Sequence, residues 1–488
     1  MSAPQELNRI LDRLHGVNVL CVGDIMLDRF IYGRVERISP EAPIPVFTAE
    51  REARMLGGAG NVIRNLLSLG TSASFASVIG DDAVGKQLTG LVGEEERLVP
   101  YLLTERGRIS TKKTRYVAAS QQLLRSDHET RAAVKDDTAA SILAILMPEL
   151  AKHQAIILSD YGKGVLTPAL CRSLIDAARA LSIPVFVDPK QRDVSIYAGA
   201  TVLSPNLKEL ALASGVDSFA DDAAIIEAAR QLAIAHRFQY VLTTRGEHGM
   251  TLVDAQGLVT HVEASAAQVF DVSGAGDSVI ATLAAAHAAG APMAAATELA
   301  NLAGGIVVGR LGTAVVHRTD LTAAIYTHRA VALQQKILPT ETARDMVTNW
   351  QRDGLTVGLT NGCFDIMHAG HISLLSDAKK QCDRLIVALN TDASVRGLKG
   401  PSRPVNAELD RAQVLAALGV VDAVVLFDEE TPLALLKTLQ PDILMKGADY
   451  TKEQVVGWEF VESYGGRVAL LPLKDGYSTT GIIKKMTA

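Results

Sequence analysis

Short unbroken apolar runs recur along the chain, and each gives way to a stretch where apolar residues return every three or four positions. The runs VNVLCVG (17–23), AIILSD (155–160), PVFVDP (184–189), TVLSPN (201–206) and YVLTT (240–244) predict strands, each ending in Gly, Asp, Asn, Pro or Thr. The segments 139–153, 168–181 and 221–236 between them predict helices. A strand that is apolar on both faces has to be covered on both, so the pattern specifies an α/β fold with a parallel sheet between helical layers. Ligands in such folds bind beyond the carboxyl ends of the strands. The polar residues closing each run are therefore site candidates by position alone.

Two stretches break the rhythm. Residues 29–50 (RFIYGRVERISPEAPIPVF within them) and 109–126 alternate or are punctuated by Pro, which predicts a small antiparallel accessory sheet, a lid over the main one. A second α/β series begins at TVGLTNG (356–362), continues through RLIVALN (384–390) and DAVVLFD (422–428), and closes at RVALLPL (467–473). The polar helical stretch 320–350 carries no strand signal. The expected organisation is a first domain over 1–330, a linker over 331–355 and a Rossmann-like second domain over 356–488. From Val279 to Thr297 there is no Asp, Glu, Lys or Arg, but Gly290 and Pro292 divide an alanine-rich run, which predicts a buried helix pair and no membrane span.

A chain of 488 residues is too long for one ordinary core, in agreement with two domains. A net charge of −6 without a basic tail or stripe argues against nucleic acid as a partner. Cys21, Cys171, Cys363 and Cys382 form no CxxC pair, and MSAPQELNRILDRLHG lacks an apolar signal-peptide core, so a reduced, cytoplasmic setting is expected.

DVSGAGDS (271–278) places Gly274, Ala275 and Gly276 at a helix start, where unobstructed N–H groups and the helix dipole favour an anion. Asp277 follows within reach of the same spot. An anion hole beside a carboxylate suits phosphoryl transfer to a hydroxyl, the amides holding charge and the carboxylate taking the proton. A plain Gly-rich cap with an acidic first turn is an equal reading until the context is added. That context is GGAGN with Gly57, Gly58 and Asn61, SPNLKE with Asn206, Leu207, Lys208 and Glu209, TTRGEHG with Thr244 and Gly246, and GDIMLD with Asp24 and Asp28.

With these motifs in this order, the first 330 residues resemble the ribokinase-like carbohydrate kinases. The resemblance implies that Asp277 is the catalytic base over an anion hole at Gly274, Ala275 and Gly276. It places Asn206–Glu209, Thr244 and Gly246 at ATP, with Mg²⁺ held through Glu209. Asp24, Asp28, Gly57, Gly58 and Asn61 fall at the sugar, and the lid pairs two subunits into a homodimer. The Walker pattern GxxxxGK[ST] is absent.

NGCFDIMHAGH (361–371) puts His368 and His371 on one face of a helix start. Three readings stand at this point. They are zinc with Cys363, which lacks further ligands and a HExxH glutamate; two structural histidines; or a site where imidazoles and amides meet an α-phosphoryl group as pyrophosphate leaves. Residues 356–488 resemble the cytidylyltransferase-like superfamily, whose H-x-G-H motif follows the first strand. That resemblance implies ATP contacts at Gly362, Phe364, Lys446, Ser478, Thr479 and Thr480, and phosphate or sugar-phosphate contacts at Lys399 and Arg403. Asp449 is a further nucleotide candidate, and Leu473, next to Lys474, stands where relatives often carry arginine.

The order of the two halves, together with EAPIPVF, LSDYGKG, DPK and GCFDIMHAGH, resembles the bifunctional heptose kinase/adenylyltransferases of Gram-negative bacteria. That implies ATP and heptose phosphates as substrates: phosphorylation of D-glycero-β-D-manno-heptose 7-phosphate at O1, then adenylylation of the 1-phosphate to ADP-heptose for the lipopolysaccharide core. A different sugar kinase fused to a nucleotide-sugar pyrophosphorylase, a kinase with an inactive regulatory domain, and a metal-dependent regulator remain as alternatives.

Overall fold

A computed structural model describes residues 4–472, apart from 119–120, 266–271, 311, 313 and 335. The chain forms two compact units, Met1–Tyr326 and Thr327–Ala488.

The first unit is built on a nine-stranded sheet in the order Val259–Val262, Met250–Asp254, Tyr240–Thr244, Val202–Leu203, Val185–Asp188, Ala155–Ser159, Asn18–Gly23, Ser72–Gly80 and Leu98–Glu105. All neighbours pair in parallel until Met250–Asp254 and Val259–Val262, which turn antiparallel at one edge. The period-two alternation divides each apolar run between two cores. Val19 and Cys21 join one with helices Ala59–Ser68, Ala275–Ala288 and Met293–Val308, while Leu20 and Val22 join the other with Asp136–Leu146, Pro168–Ala180 and Asp222–His236. Each fully buried Val, Leu or Ile contributes about 1.5–3 kcal/mol. The charge-free run is the expected buried helix pair, divided at Gly290, whose φ of +87° suits glycine alone. The run TVLSPN yields only the two-residue ladder Val202–Leu203, because Pro205 has no N–H to give; a single bridge from Asn206 to Thr244 carries the register on.

The irregular stretches form a separate four-stranded sheet in the order Pro45–Gly58, Ile25–Ile38, Thr111–Ala118 and Gln121–His128. It is not wholly antiparallel: Ile25–Ile38 pairs in parallel with Thr111–Ala118. Its inner end is buried through Ile25, Met26, Leu27 and Phe30, and its far end is exposed.

Among the described residues the second unit has six strands, all parallel, in the order Ile337–Leu338, Ala423–Phe427, Arg384–Asn390, Val357–Gly362, Ile443–Gly447 and Arg467–Leu471. Residues 331–355 are no plain linker. Ile337–Leu338 is the edge strand, and helix Thr340–Arg352 buries Ala343 and Val347 in this unit's core. Its strand is too short to register as a periodic pattern. No helix among the described residues is long and apolar enough to cross a membrane.

Candidate functional sites

In the first unit, Gly274 takes φ +81° and caps helix Ala275–Ala288, which brings Asp277 into its first turn. Asp277 is 4% exposed. Its Oδ2 accepts from Nδ2 of Asn61 at 2.8 Å and its Oδ1 from the hydroxyl of Tyr161 at 2.5 Å. Burial pushes its pKa up to about 6, while the two donors pull the other way. At neutral pH it is therefore still a carboxylate, and two of its roughly four lone-pair sites remain for a substrate hydroxyl. The Ala275 N–H is not open to a ligand in this conformation: it donates to the Val272 carbonyl at 3.3 Å, because the left-handed Gly274 folds the loop back. At Gly276 the space a side chain would take is empty, and the residue faces a cavity.

That cavity, of about 160 Å³, is also lined by Tyr161, Asp160, Asp188, Lys190, Asn206, Glu209 and Thr244. Three carboxylates against one lysine would repel a bare triphosphate. Asp188 shows the strain: burial, then the nearby Asp277 and Glu209, holds its pKa well above the usual carboxylate range. A divalent cation arriving with the phosphates would relieve it. Among the described residues no three His, Cys, Asp or Glu side chains converge as a protein-only metal site.

Glu209 is less free than expected for a direct Mg²⁺ ligand. Its Oε2 accepts from the Asn206 N–H at 3.1 Å in a capping box, and its Oε1 accepts from Lys190 at 3.0 Å. Leu207 packs on the core, Lys208 points to solvent, and Gly246, at φ +61°, opens the turn after Thr244; none of the three lines the cavity.

The sugar-side candidates divide similarly. Both Asp24 oxygens are taken by backbone N–H groups of one loop, Tyr161 at 2.9 Å, Lys163 at 3.0 Å and Val165 at 3.0 Å, so Asp24 holds the loop where a sugar contact was expected. Asp28 pairs with Arg115 at 2.5 Å. Gly57 and Gly58 are required by close approach: a Cβ on Gly57 would lie 2.2 Å from Oδ2 of Asp28, and one on Gly58 2.5 Å from the Asp24 carbonyl. Asn61 serves Asp277 directly. Tyr161, Asp160 and Asp188 fall within LSDYGKG and DPK, stretches that carried the resemblance without a site role for these residues.

In the second unit, strand Val357–Gly362 runs into a loop that ends at His368, the N-cap of helix Ala369–Lys379. The His371 N–H donates to Nδ1 of His368 at 3.3 Å, which places the proton of the neutral His368 ring on Nε2. The two rings stack with centroids 3.8 Å apart and 15° between planes. With Cys363 the two rings make no metal-holding group among the described residues. Burial, followed by His368 and Lys399, pulls the His371 pKa down to about 4; burial lowers that of His368 as well. Both are neutral donors at physiological pH.

Phe364, expected at the nucleotide, is a core residue 5% exposed, with its ring edge-on to His371 at 5.1 Å. A Cβ on Gly362 would meet that ring at 3.0 Å, so the glycine makes room for Phe364. Lys446 donates to the carbonyl and Oδ1 of Asn361 at 3.0 and 2.8 Å and so braces the end of the first strand. Arg403 pairs with the buried Asp365, whose Oδ1 also accepts from Val405 N–H at 2.6 Å, and so fastens the loop, while its Nη2 is buried without a partner. Lys399 is exposed. Ser478, Thr479 and Thr480, with Leu473 and Lys474, lie outside the described residues.

Two further residues organise this site. Asp365 lies inside the histidine motif. Arg411, 2% exposed, donates to the carbonyls of Cys363 at 2.6 Å and Asn406 at 3.0 Å and to Asp392 at 2.7 Å. Nothing in its helical context distinguishes it from a solvated arginine.

A buried carboxylate beside a phosphate-sized cavity in a ribokinase-type unit, followed by a nucleotidyltransferase-type sheet with paired histidines, points to the class: a carbohydrate kinase joined to a cytidylyltransferase-like enzyme. The pfkB family carbohydrate kinase model matches residues 17–319, and the cytidylyltransferase-like model matches 359–485. The chain belongs to the bifunctional HldE family. The bifunctional protein HldE of Paramagnetospirillum magneticum is 52% identical over 99% of both chains. That of Rhodospirillum rubrum is 52% identical over 100% of this chain and 98% of its own, and that of Caulobacter vibrioides 52% over 97% of each. Among solved structures, phosphofructokinase-2 from Escherichia coli superposes with a TM-score of 0.53 at 19% identity over 64% of this chain and 98% of its own. Ribokinase from Giardia lamblia does so with a TM-score of 0.51 at 21% identity over 63% and 99%. These two bear on the fold of the first unit alone.

Proposed function

We propose that the chain catalyses two ATP-consuming steps of ADP-heptose synthesis for the lipopolysaccharide core. In the first, the O1 hydroxyl of D-glycero-β-D-manno-heptose 7-phosphate attacks the γ-phosphoryl group of ATP, giving the 1,7-bisphosphate and ADP. Asp277 takes the hydroxyl proton, the helix start at Gly274–Gly276 faces the transferring group, and the cavity at Asn206, Glu209 and Thr244 receives the nucleotide phosphates with Mg²⁺. When bound, that ion offsets phosphate charge. After removal of the 7-phosphate by a separate enzyme, heptose 1-phosphate attacks the α-phosphoryl group of a second ATP, giving ADP-heptose and pyrophosphate. There His368 and His371, as neutral donors at a helix start, stabilise the α-phosphoryl oxygens as pyrophosphate departs.

The observation carrying this reading is the pairing, in one chain of the HldE family, of a buried Asp277 held by two donors with an H-x-G-H pair at the mouth of a second parallel sheet. We assign the enzyme to the cytoplasm, as a homodimer through the accessory sheet, whose far end exposes Val35, Ile38, Ile44 and Leu124. Mass spectrometry of products from a panel of sugar phosphates with ATP tests the substrate assignment. Heptose 7-phosphate should gain one phosphoryl group and heptose 1-phosphate one adenylyl group; preference for a different sugar would overturn it.

A further inference from the structure

Tyr161 follows strand Ala155–Ser159 and Asp160, and two acids from opposite sides of the kinase site hold it. Its N–H donates to Oδ2 of Asp24 at 2.9 Å, and its hydroxyl donates to Oδ1 of Asp277 at 2.5 Å. The same residue lines the cavity that Gly276 faces. The phenol stays protonated at any working pH, because burial and then Asp277 and Asp188 push its pKa well above the usual value for tyrosine. It is thus a fixed donor, and its backbone is pinned independently of its side chain.

We propose that Tyr161 is a positioning residue of the kinase site: its hydroxyl holds Oδ1 of Asp277 so that the carboxylate meets the sugar hydroxyl in one orientation and in its charged form. The proposal rests on the reading of Asp277 as the base. Asn61, from helix Ala59–Ser68, holds only the other oxygen, so without Tyr161 the carboxylate would turn about a single bond. The other titratable groups near Asp277 are Asp28 on the accessory sheet and Cys21 and Asp188 on the main sheet. Of these, Asp28 opposes its charged form, whereas the Tyr161 hydroxyl favours it. The pinning of Tyr161 by Asp24 also accounts for a buried aspartate whose oxygens are spent on one loop.

The test uses the full-length enzyme with Tyr161→Phe, which removes one oxygen and leaves ring and backbone in place. The kinase kcat should fall about tenfold with little change in KM. The acidic limb of its pH profile should move up by about one pH unit, because a lost donor raises the pKa of the carboxylate it served. Pyrophosphate release by the second unit should not change, and an unchanged unfolding midpoint of the first unit reports that the kinase unit is folded. Replacing Tyr161 with a ring-fluorinated tyrosine, a stronger donor of the same shape, should move the limb down. A rate loss with the limb fixed in both variants would make Tyr161 merely structural, and an unchanged rate and limb would remove its role altogether. Failure of the base reading is separate: Asp277→Asn would then retain its rate.

Discussion

Asp277 in the first unit and His371 in the second are both shielded from water, and the shielding moves them in opposite directions. Burial penalises whichever form is charged, so the carboxylate rises to about 6 and the imidazole falls to about 4. At neutral pH the first remains an anion able to accept a proton, and the second is a neutral ring able only to share one. Their supports differ accordingly. Asp277 is held by two side-chain donors, Asn61 and Tyr161, whereas His371 is held by stacking on His368 and by the edge of Phe364. A base has to be oriented while its charge is kept; a hydrogen-bond donor needs only its ring fixed.

A large effect that would break this contrast is expected on the histidines. His371→Ala or His368→Ala should lower adenylyl transfer by on the order of 10²–10³, as loss of one charge-stabilising donor does, with sugar phosphorylation intact. Pyrophosphate release and ADP formation, assayed on the same preparation, check it. Next is the scaffold: Arg411→Met strips a buried guanidinium from two carbonyls and Asp392 and should destabilise the second unit by about 3–5 kcal/mol, read as a lower unfolding midpoint for that unit.

The pH profiles sharpen the comparison. Asp277 acts only when ionised, so kinase turnover should fall about tenfold per unit below its pKa of about 6. His371, at about 4, stays neutral from roughly pH 5 to 8, and its titration should leave adenylyl transfer flat over that range. A transferase rate that falls as pH rises through the ordinary histidine value would show that the ring is charged when it works. The smallest effect is expected at Lys399. It is exposed and only biases His371, so Lys399→Ala should change stability by less than about 0.5 kcal/mol and leave the flat profile in place.

Much of the architecture was legible because continuous apolar runs bounded by polar residues encode parallel strands, and Tyr240–Thr244 matches its run residue for residue. The strand Ser72–Gly80, next to the edge of the main sheet, was not legible, since SASFASVIG mixes serine into a position buried on both faces. Among site residues, Asp277, Asn61, His368 and His371 sit in glycine-marked motifs at helix starts, and the structure puts Asn61 beside Asp277 and His368 beside His371. Asp24, Glu209 and Phe364 were also read from motifs, yet their polar atoms or rings are spent on loop, cap and core. Sequence spacing reports which residues reach a site, but not whether their hydrogen bonds are already taken. Tyr161 and Arg411 show the reverse: their partners are distant in sequence, so only the fold brings them to the site.

The most direct test assays both half-reactions on full-length Asp277→Asn. Two independent sites require ADP formation from heptose 7-phosphate to drop by on the order of 10²–10⁴ while pyrophosphate release from ATP and heptose 1-phosphate continues at the unmodified rate. Loss of both activities in a folded protein, or sugar phosphorylation persisting undiminished, would contradict it.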